Sequence, residues 1–161
     1  METKIKLKKN DVLKVEIEDE NGNSTGNYLE FDLQDIDLPL RVQRLQEGHI
    51  KNLNYLKVGF SLVDKKKDKT GKKMLSSNEE EKLKIVKEFY NKEIELLDLV
   101  LGEGGAEKIL NGRKPYYEMF NDIMEYLEPL APVFEEQSKK MEQKLIEKYT
   151  KKSENTNVIE G

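Results

Sequence analysis

The stretch LGEGGAEKILNGRKPYY, residues 101–117, decides the fold, because it lies between two long helical patterns and holds four of the ten glycines. A glycine placed just after a helix readily adopts the left-handed backbone that ends it, and proline is tolerated in the first turn of a helix. The stretch therefore predicts a helix stop, a short helix, a second stop and a new helix opened by the proline. The structural residues of this joint are Gly102, Gly104, Gly105, Gly112 and Pro115.

Two helical patterns precede the joint. The nearer one starts where Ser76 and its polar neighbours are followed by glutamates at residues 79–81, which is typical of a capped helix start. From there, apolar residues recur at steps of three and four as far as the joint. The earlier pattern predicts a helix that begins at Asp35 or Asp37 and ends near Gly59.

Two further helical patterns follow the joint. The first runs to the sequence EPLAP at residues 128–132, whose prolines are expected to break or kink it. The second runs from about residue 132 to residue 151 and carries a thin apolar stripe. We expect this last helix to be weakly docked, coiled against another chain or partly disordered.

The N-terminal residues predict a β-hairpin. Apolar and charged side chains alternate in residues 13–18 and 29–33, and the turn-forming sequence DENGNSTGN lies between them at residues 19–27. Residues 5–8 alternate in the same way and are a candidate third strand. Because a lone hairpin is marginal in water, its apolar face should cover a helix.

These elements predict an α+β, mainly α, fold in which an N-terminal hairpin of two or three strands packs on a bundle of four or five helices. The length suits one domain. Within it we expect the hairpin at residues 1–35, a helical body at 36–149 and a disordered tail at 150–161. The body includes a mobile basic loop at 64–78, because residues 64–73 hold six lysines and no apolar residue.

Composition excludes several classes of function. The net charge of −4 gives no global support for binding to nucleic acid or to an acidic membrane. No cysteine is present, so no disulfide framework or thiol chemistry is available. No apolar run approaches the roughly 20 residues that span a membrane, and the N-terminus lacks the apolar core of a signal peptide. We therefore expect a soluble cytoplasmic protein with no membrane partner.

No catalytic or cofactor-binding constellation stands out. The glycines at 102, 104 and 105 precede a helix and could approach a phosphate, but no Gly-Lys-Ser/Thr ending or preceding strand accompanies them. His49 is the only histidine, so a transition-metal site would have to consist mostly of carboxylates. We expect a non-enzyme with no cofactor and no metal.

Cations and aromatic residues come together in the sequence RKPYY at residues 113–117. Such a set can stack on a base or grip a peptide, or its tyrosines can seal the joint while the cations stay in water. Tyr116 lies on the apolar face of the following helix and is predicted to seal the joint. Arg113 and Tyr117 remain open as partner contacts.

The joint also carries a family resemblance. Residues 97–117, LDLVLGEGGAEKILNGRKPYY, followed by EMFNDIMEYLEPL at 118–130, are similar to the C-terminal half of small tail assembly chaperone-like proteins of siphophages and prophages in Gram-positive bacteria. The upstream sequence FDLQDIDLPLRVQRL, residues 31–45, is similar to the strand-then-helix start of the same family. The hairpin, the basic loop and the tail fall largely outside the resemblance.

The resemblance implies a non-enzymatic role in the host bacterial cytoplasm. Proteins of this family are thought to bind the tape-measure protein, a very long helical chain, and to keep it soluble while tail-tube subunits assemble. The major tail (tube) protein is a second candidate partner, and self-association is left open. With ordinary core packing as the alternative for each methionine and phenylalanine, we name as partner-binding residues Arg113, Tyr117, Met119, Met124, Phe134 and Met141.

Two other functions remain open at this stage. A nucleic-acid-binding accessory protein would use the lysines of 64–73 together with Arg113 and Lys114, and its binding would be sensitive to salt. A structural tail protein, such as a tube or tail-completion subunit, would use the β-hairpin for pairing between subunits. Such a protein would remain in purified tails, whereas a chaperone would be absent from them.

Overall fold

The computed structural model describes residues 1–9 and 11–160, with side chains described as far as residue 151. The predicted α+β, mainly helical fold is confirmed: a two-stranded antiparallel hairpin precedes the helices. A short 3-10 helix at Glu128–Leu130 joins the last two α-helices. The other elements are β1 (Val12–Glu18), β2 (Ser24–Asp32), α1 (Leu38–Asp64), α2 (Ser77–Leu101), α3 (Gly105–Leu110), α4 (Met119–Leu127) and α5 (Ala131–Glu160).

The hairpin places its apolar side chains towards the helices. In the strand register, Val15 lies opposite Leu29 and Leu13 lies opposite Phe31. Both β2 residues are buried, and the ring of Phe31 meets that of Phe134 on α5 edge-on at 5.5 Å. The candidate third strand is absent, since residues 1–9 form no strand. Of the two alternatives predicted for the hairpin, two strands is the correct one.

Helices α1 and α2 form an antiparallel pair whose close approach depends on two glycines of α1. A Cβ atom added at Gly48 would lie 2.5 Å from Leu96 Cδ1, and one at Gly59 would lie 3.1 Å from Ile85 Cγ2. The two glycines therefore lie where α2 crosses, and the loss of helix propensity at each is offset by packing. For the same reason α1 does not end near Gly59 as predicted but continues to Asp64.

The predicted start of α2 is confirmed in detail. Ser76 Oγ accepts a hydrogen bond from the Glu79 N–H at 3.2 Å, and Glu79 Oε2 accepts one from the Ser76 N–H at 3.1 Å. This reciprocal capping box satisfies two backbone donors that the helix leaves unpaired. The preceding loop is tied to the same helix end, because Asp68 Oδ1 accepts a hydrogen bond from the Asn78 N–H at 3.1 Å. That bond, together with side-chain hydrogen bonds from Ser76 and Ser77, holds the pKa of the Asp68 carboxyl below its ordinary value. The predicted mobility of the loop stays a prediction.

The joint between α2 and α4 has the predicted backbone. Gly102, Gly104 and Gly112 have φ values of 88°, 73° and 84°, and Asn111 has a φ of 50°. At Gly105 the requirement is space, because an added Cβ would overlap Leu101 Cβ. The two helix stops and the short helix between them therefore lie where the sequence places them.

Pro115 does not open the next helix, which corrects one detail of the predicted joint. Helix α4 begins four residues later, at Met119, after a turn in which the Met119 N–H donates to the Tyr116 carbonyl at 3.0 Å. The Tyr116 side chain packs against the core, and its hydroxyl donates to Asp122 Oδ2 at 2.6 Å. Residues 115–118 bring the Tyr116 ring to the core and are not helical, so α4 starts only at Met119.

The helical path is interrupted near the end of the chain, as the prolines of EPLAP predict. Pro129 lies in the 3-10 helix, and α5 starts at Ala131. The backbone is helical as far as Glu160, and the expected disorder from residue 150 onwards stays a prediction. The i, i+4 ion pair between Lys140 and Glu136, at 3.4 Å, is one local interaction that supports this largely exposed helix. Gly161 lies outside the described residues.

The core forms where the hairpin, the joint and the ends of α1 and α2 meet. Leu97 and Ala106 have no exposed surface, and Leu45, Met119 and Ile123 are 1% exposed. Arg41, in the first turn of α1, ties that end of the helix to α2, because its Nε donates to the Leu99 carbonyl at 2.8 Å. The remaining buried members of the cluster are Leu29, Phe31, Leu38, Val100, Leu101, Leu110 and Phe120.

Candidate partner-binding surface

One open groove, which we call the α5 groove, runs between α5 and the connection from β2 to α1. Its volume is about 240 Å³. A space of this size holds a few apolar side chains and is smaller than the roughly 300–1,000 Å³ of most small-molecule sites. The apolar residues that line it are Leu33, Ile36, Leu38 and Pro39 on one side and Phe134, Met141 and Leu145 on the other.

The wall of the α5 groove opposite α5 is held in place by an ion pair. Arg41 Nη2 lies 2.6 Å from Asp35 Oδ2, and both side chains are about two-thirds covered by the protein. The hydrogen bond from Arg41 holds the pKa of the Asp35 carboxyl below its ordinary value. Because the guanidinium also bonds to the Leu99 carbonyl, this wall is braced against α2 and the groove is largely pre-formed.

The apolar side of α5 continues beyond the groove. Leu145, Ile146 and Tyr149 are 64%, 57% and 77% exposed. At about 100° per residue, the side chains of 134, 141, 145 and 149 point to one side of the helix. We define the α5 stripe as Phe134, Met141, Leu145, Ile146 and Tyr149. Its first half, Phe134 and Met141, is sheltered by the groove, and its open half begins at Leu145, which lines the end of the groove but is mostly exposed.

Two of the six predicted partner-binding residues, Phe134 and Met141, lie in the α5 groove. Met124 is half-buried and packs against the core, and Tyr117 is exposed after the joint. Met119 is 1% exposed and fills the core at the start of α4. This is the ordinary packing role that helical spacing alone could not separate from a surface role, and the partner role of Met119 stays a prediction that its burial does not favour.

Arg113 completes the end of the short helix α3. Its Nε donates to the Leu110 carbonyl at 3.0 Å and its Nη2 to the Ile109 carbonyl at 3.4 Å. A cation that bonds the last carbonyls of a helix also complements the negative end of the helix dipole. Its Nη1 lies 3.6 Å from Glu20 Oε1 of the hairpin turn. Arg113 and Tyr117 therefore do not join Phe134 and Met141 in one groove.

A buried polar cluster was missed at the sequence level. Glu93 is 1% exposed; its Oε2 lies 2.6 Å from His49 Nδ1, and its Oε1 accepts a hydrogen bond from Asn52 Nδ2 at 2.7 Å. The His49 ring stacks on Phe120 at 3.8 Å. The signal was spacing: Phe89, Glu93 and Leu97 recur every four residues on the side of α2 that faces α1. The cluster does not line the α5 groove, and it links α1, α2 and α4 as a structural element.

The described part of the chain has no arrangement typical of catalysis on a metal. Among these residues, no three histidine, aspartate or glutamate side chains are placed to hold a metal ion. Within the same part, no helix combines the length and apolarity that crossing a membrane requires. The arrangement that the structure does offer is a set of apolar surfaces framed by charges, which is suited to binding another protein.

Comparisons with protein-family models, with curated proteins and with solved structures found no match.

Proposed function

We propose that this protein is a phage or prophage tail assembly chaperone, which binds the tape-measure protein in the host cytoplasm and assists assembly of the tail tube. The resemblance of residues 31–45 and 97–130 to that family points to the class of protein. The observation that carries the proposal is the α5 stripe, an apolar helix side that continues from a groove into solvent.

The stripe suits a partner that is itself a long helix. A tape-measure chain exposes apolar stripes along its length before the tube encloses it, and such stripes aggregate unless they are covered. An amphipathic helix is commonly recognised by laying its apolar side into a groove or against another helix. On α5, Phe134 and Met141 supply the groove, and Leu145, Ile146 and Tyr149 extend the contact by about two turns.

The exposure of the stripe also suits a transient complex. Its open half has little apolar area on this chain to pack against, so a partner adds burial there without first displacing a packed element. Lysines and glutamates cover the rest of α5 and keep the free chaperone soluble. The major tail (tube) protein is a second partner in this proposal, because it must displace the chaperone as it encloses the tape measure.

Co-expression with the tape-measure protein of the same phage or prophage tests the function. We expect this chain to raise the soluble fraction of the tape-measure protein and to co-purify with it. The double variant Leu145→Ser/Tyr149→Ser should lose both effects. The matched control Val58→Ser/Leu62→Ser, which removes two similarly exposed apolar residues from α1, should retain them. If the tape-measure protein stays insoluble beside the unchanged chain, the chaperone function is wrong.

One observation favours a structural tail protein as the second candidate. Among the residues that the structure describes, strand β1 pairs with β2 alone, so its other edge can pair with a strand of another subunit. This candidate predicts that the chain is retained in purified tails at a fixed ratio to the tube protein. Its absence from purified tails would reject the structural function and is the result that a chaperone requires.

A further inference from the structure

The edge of β1 that faces away from β2 is open. The Leu33 N–H donates to the Asp11 carbonyl at 2.9 Å, and hydrogen-bonded pairs occur at every second residue of an antiparallel ladder. Lys14 and Glu16 therefore direct their N–H and C=O groups away from β2. Among the described residues, no other strand pairs with these groups, whereas the outer edge of β2 lies beside α3.

The two sides of β1 differ in chemistry. Leu13, Val15 and Ile17 are half-buried and pack against the core. Glu16 and Glu18 point to the opposite side of the hairpin, where they are exposed. A strand added at the open edge must therefore present apolar side chains on one side and complement carboxylates on the other, because neighbouring strands interact through side chains that lie directly across from each other.

Residues 4–8 of the same chain have this chemistry. They read Lys-Ile-Lys-Leu-Lys, so apolar and basic side chains alternate. Ile5 and Leu7 are 88% and 86% exposed, and residues 1–9 form no strand. One copy of the protein therefore holds both an open edge and an alternating segment that fits it, and among the described residues the two are not paired with each other.

From these two features we infer that residues 4–8 pair in an antiparallel direction with β1 of a second copy of this chain. The second copy returns the same contact, because its own residues 4–8 meet β1 of the first, and the product is a two-fold symmetric dimer. Strand addition at an open edge supplies main-chain hydrogen bonds, while the side chains select the partner. This dimer is independent of both functions proposed above, because it uses no residue of the α5 stripe and its partner is the same protein.

One register of the two strands matches them on the apolar side. It sets Ile5 opposite Ile17 and Leu7 opposite Val15. Because residues directly across an antiparallel pair lie on the same side of the sheet, these apolar side chains all face the helices. Ile5 and Leu7, which are exposed in one copy, are then covered by the other.

On the exposed side the same register opposes charges of opposite sign. Its pairs are Lys4 with Glu18 and Lys6 with Glu16. The backbone groups of Glu16, which point to the open edge, then meet those of Lys6. Lys8 falls opposite Lys14, but Glu30 offsets that like-charged pair because its Oε1 lies 3.7 Å from Lys14 Nζ. An acidic segment in the same place would set like charges across the pair, which is unfavourable.

Pairing of residues 4–8 with β1 of their own copy is less favourable. In the register that sets Ile5 opposite Ile17, the chain would have to turn within residues 9–13, yet Val12 and Leu13 lie in β1 and pair with β2. A shorter turn, of residues 9–11, would set Lys6 opposite Lys14 and place like charges across the pair. A second copy needs no such turn, because its residues 4–8 approach the edge from outside.

Sedimentation velocity of the full chain at a series of concentrations tests the dimer. We expect a concentration-dependent dimer whose dissociation constant rises more than about tenfold in Lys4→Glu/Lys6→Glu, because two attractive pairs in each half become repulsive. Glu16→Lys/Glu18→Lys should weaken the dimer in the same way. Combining all four substitutions restores opposite charges across the pair and should restore the dimer, a result that a general loss of folding cannot produce.

The matched control Lys72→Glu/Lys73→Glu makes the same change in net charge at two exposed lysines of the basic loop and should leave the dissociation constant unchanged. A chain that stays monomeric at every concentration would overturn the inference, and amide exchange at residues 4–8 would then show whether they are free or paired within their own copy. A dimer that neither charge reversal weakens would also overturn it, because the interface would lie elsewhere. The chain is measured alone, so either result leaves the co-expression test of the chaperone function unaffected.

Discussion

The joint between α2 and α4 and the second half of α5 use the same kinds of residues in opposite ways. In the joint, apolar side chains such as Ala106 and Leu110 are buried, and Asp98 accepts hydrogen bonds from the N–H groups of Gly104 and Ala106 at 3.2 and 2.9 Å. In α5, Leu145 and Tyr149 are mostly exposed.

The difference separates the region that stabilises the fold from the region that leaves apolar surface exposed. The joint and the helix ends packed on it fix the relative positions of α1, α2 and α4, because their polar and apolar groups find partners within the chain. The α5 stripe has apolar area left over, and we propose that the tape-measure protein covers it. Changes to the first region should therefore alter stability, and changes to the second should alter binding.

The largest effect on stability is expected in the buried polar cluster of Glu93, His49 and Asn52. Glu93→Ala should lower the free energy of unfolding by about 3–5 kcal/mol, because it leaves His49 and Asn52 without their shared partner in a buried site. The control Glu95→Ala removes an exposed carboxylate two residues away and should cost less than about 0.5 kcal/mol. Urea denaturation of both variants measures the difference, and equal losses would show that the cluster does not brace α1 against α2.

A smaller effect is expected in the joint itself. Asp98→Ala should cost about 1–2 kcal/mol, because the first N–H groups of α3 lose the carboxylate that caps them. Asp37 provides the control, since it occupies the N-cap position of α1 but makes no side-chain capping bond. Asp37→Ala should therefore be nearly neutral in the same denaturation experiment. A greater loss at Asp37 than at Asp98 would contradict the role given to the joint.

The anchor at Tyr116 should add a dependence on pH. Its hydrogen bond to Asp122, burial and the nearby carboxylate raise the pKa of Tyr116 to about 12 from its ordinary value of 10.0. The folded state thus holds the proton more tightly than the unfolded state, so the stabilisation is complete below pH 10 and is lost as the pH rises towards 12. At neutral pH, Tyr116→Phe should cost about 1 kcal/mol.

Stability measured against pH for the unchanged chain and for Tyr116→Phe tests this anchor. The gap between the two curves should be constant below pH 10 and should close between pH 10 and 12. Taking the difference removes the contribution of the other tyrosines. A gap that persists above pH 12, or that widens with pH, would show that the hydroxyl does not donate to Asp122.

The smallest effect on stability is expected in α5. Leu145→Ser/Tyr149→Ser should change the free energy of unfolding by less than about 0.5 kcal/mol, because both side chains are mostly exposed. The measurement is the denaturation midpoint, compared with that of the Val58→Ser/Leu62→Ser control. A loss of about 2 kcal/mol or more, typical of buried apolar residues, would mean that α5 packs on this chain in solution and that the stripe is not free for a partner.

Local chemistry explains which parts of the fold the sequence could predict. The capping box at Ser76, the glycine stops at 102 and 112 and the alternation in the hairpin all depend on neighbours within a few residues. The burial of Glu93 depended on His49, 44 residues away, and the late start of α4 after Pro115 depended on the packing of the Tyr116 ring against the core. The need for glycine at positions 48 and 59 likewise comes from the close approach of α2 and cannot be seen in the neighbouring sequence.

The candidate surface was harder to predict than the fold. Phe134 and Met141 were placed correctly on a helix side, but the same spacing also selected Met119, which the structure buries. Helical periodicity identifies an apolar side without saying whether this chain or another covers it. The α5 groove arises from the packing of segments that are far apart in sequence, so no local pattern predicts it.

Amide hydrogen exchange of this chain, alone and in complex with the tape-measure protein, tests the central claim most directly. The proposed division of roles predicts slower exchange at residues 141–151 on binding, where the stripe is open, and no change at residues 102–112 of the joint. Slower exchange in the joint with none in α5 would contradict it, because the region that fixes the fold would then also be the region that binds.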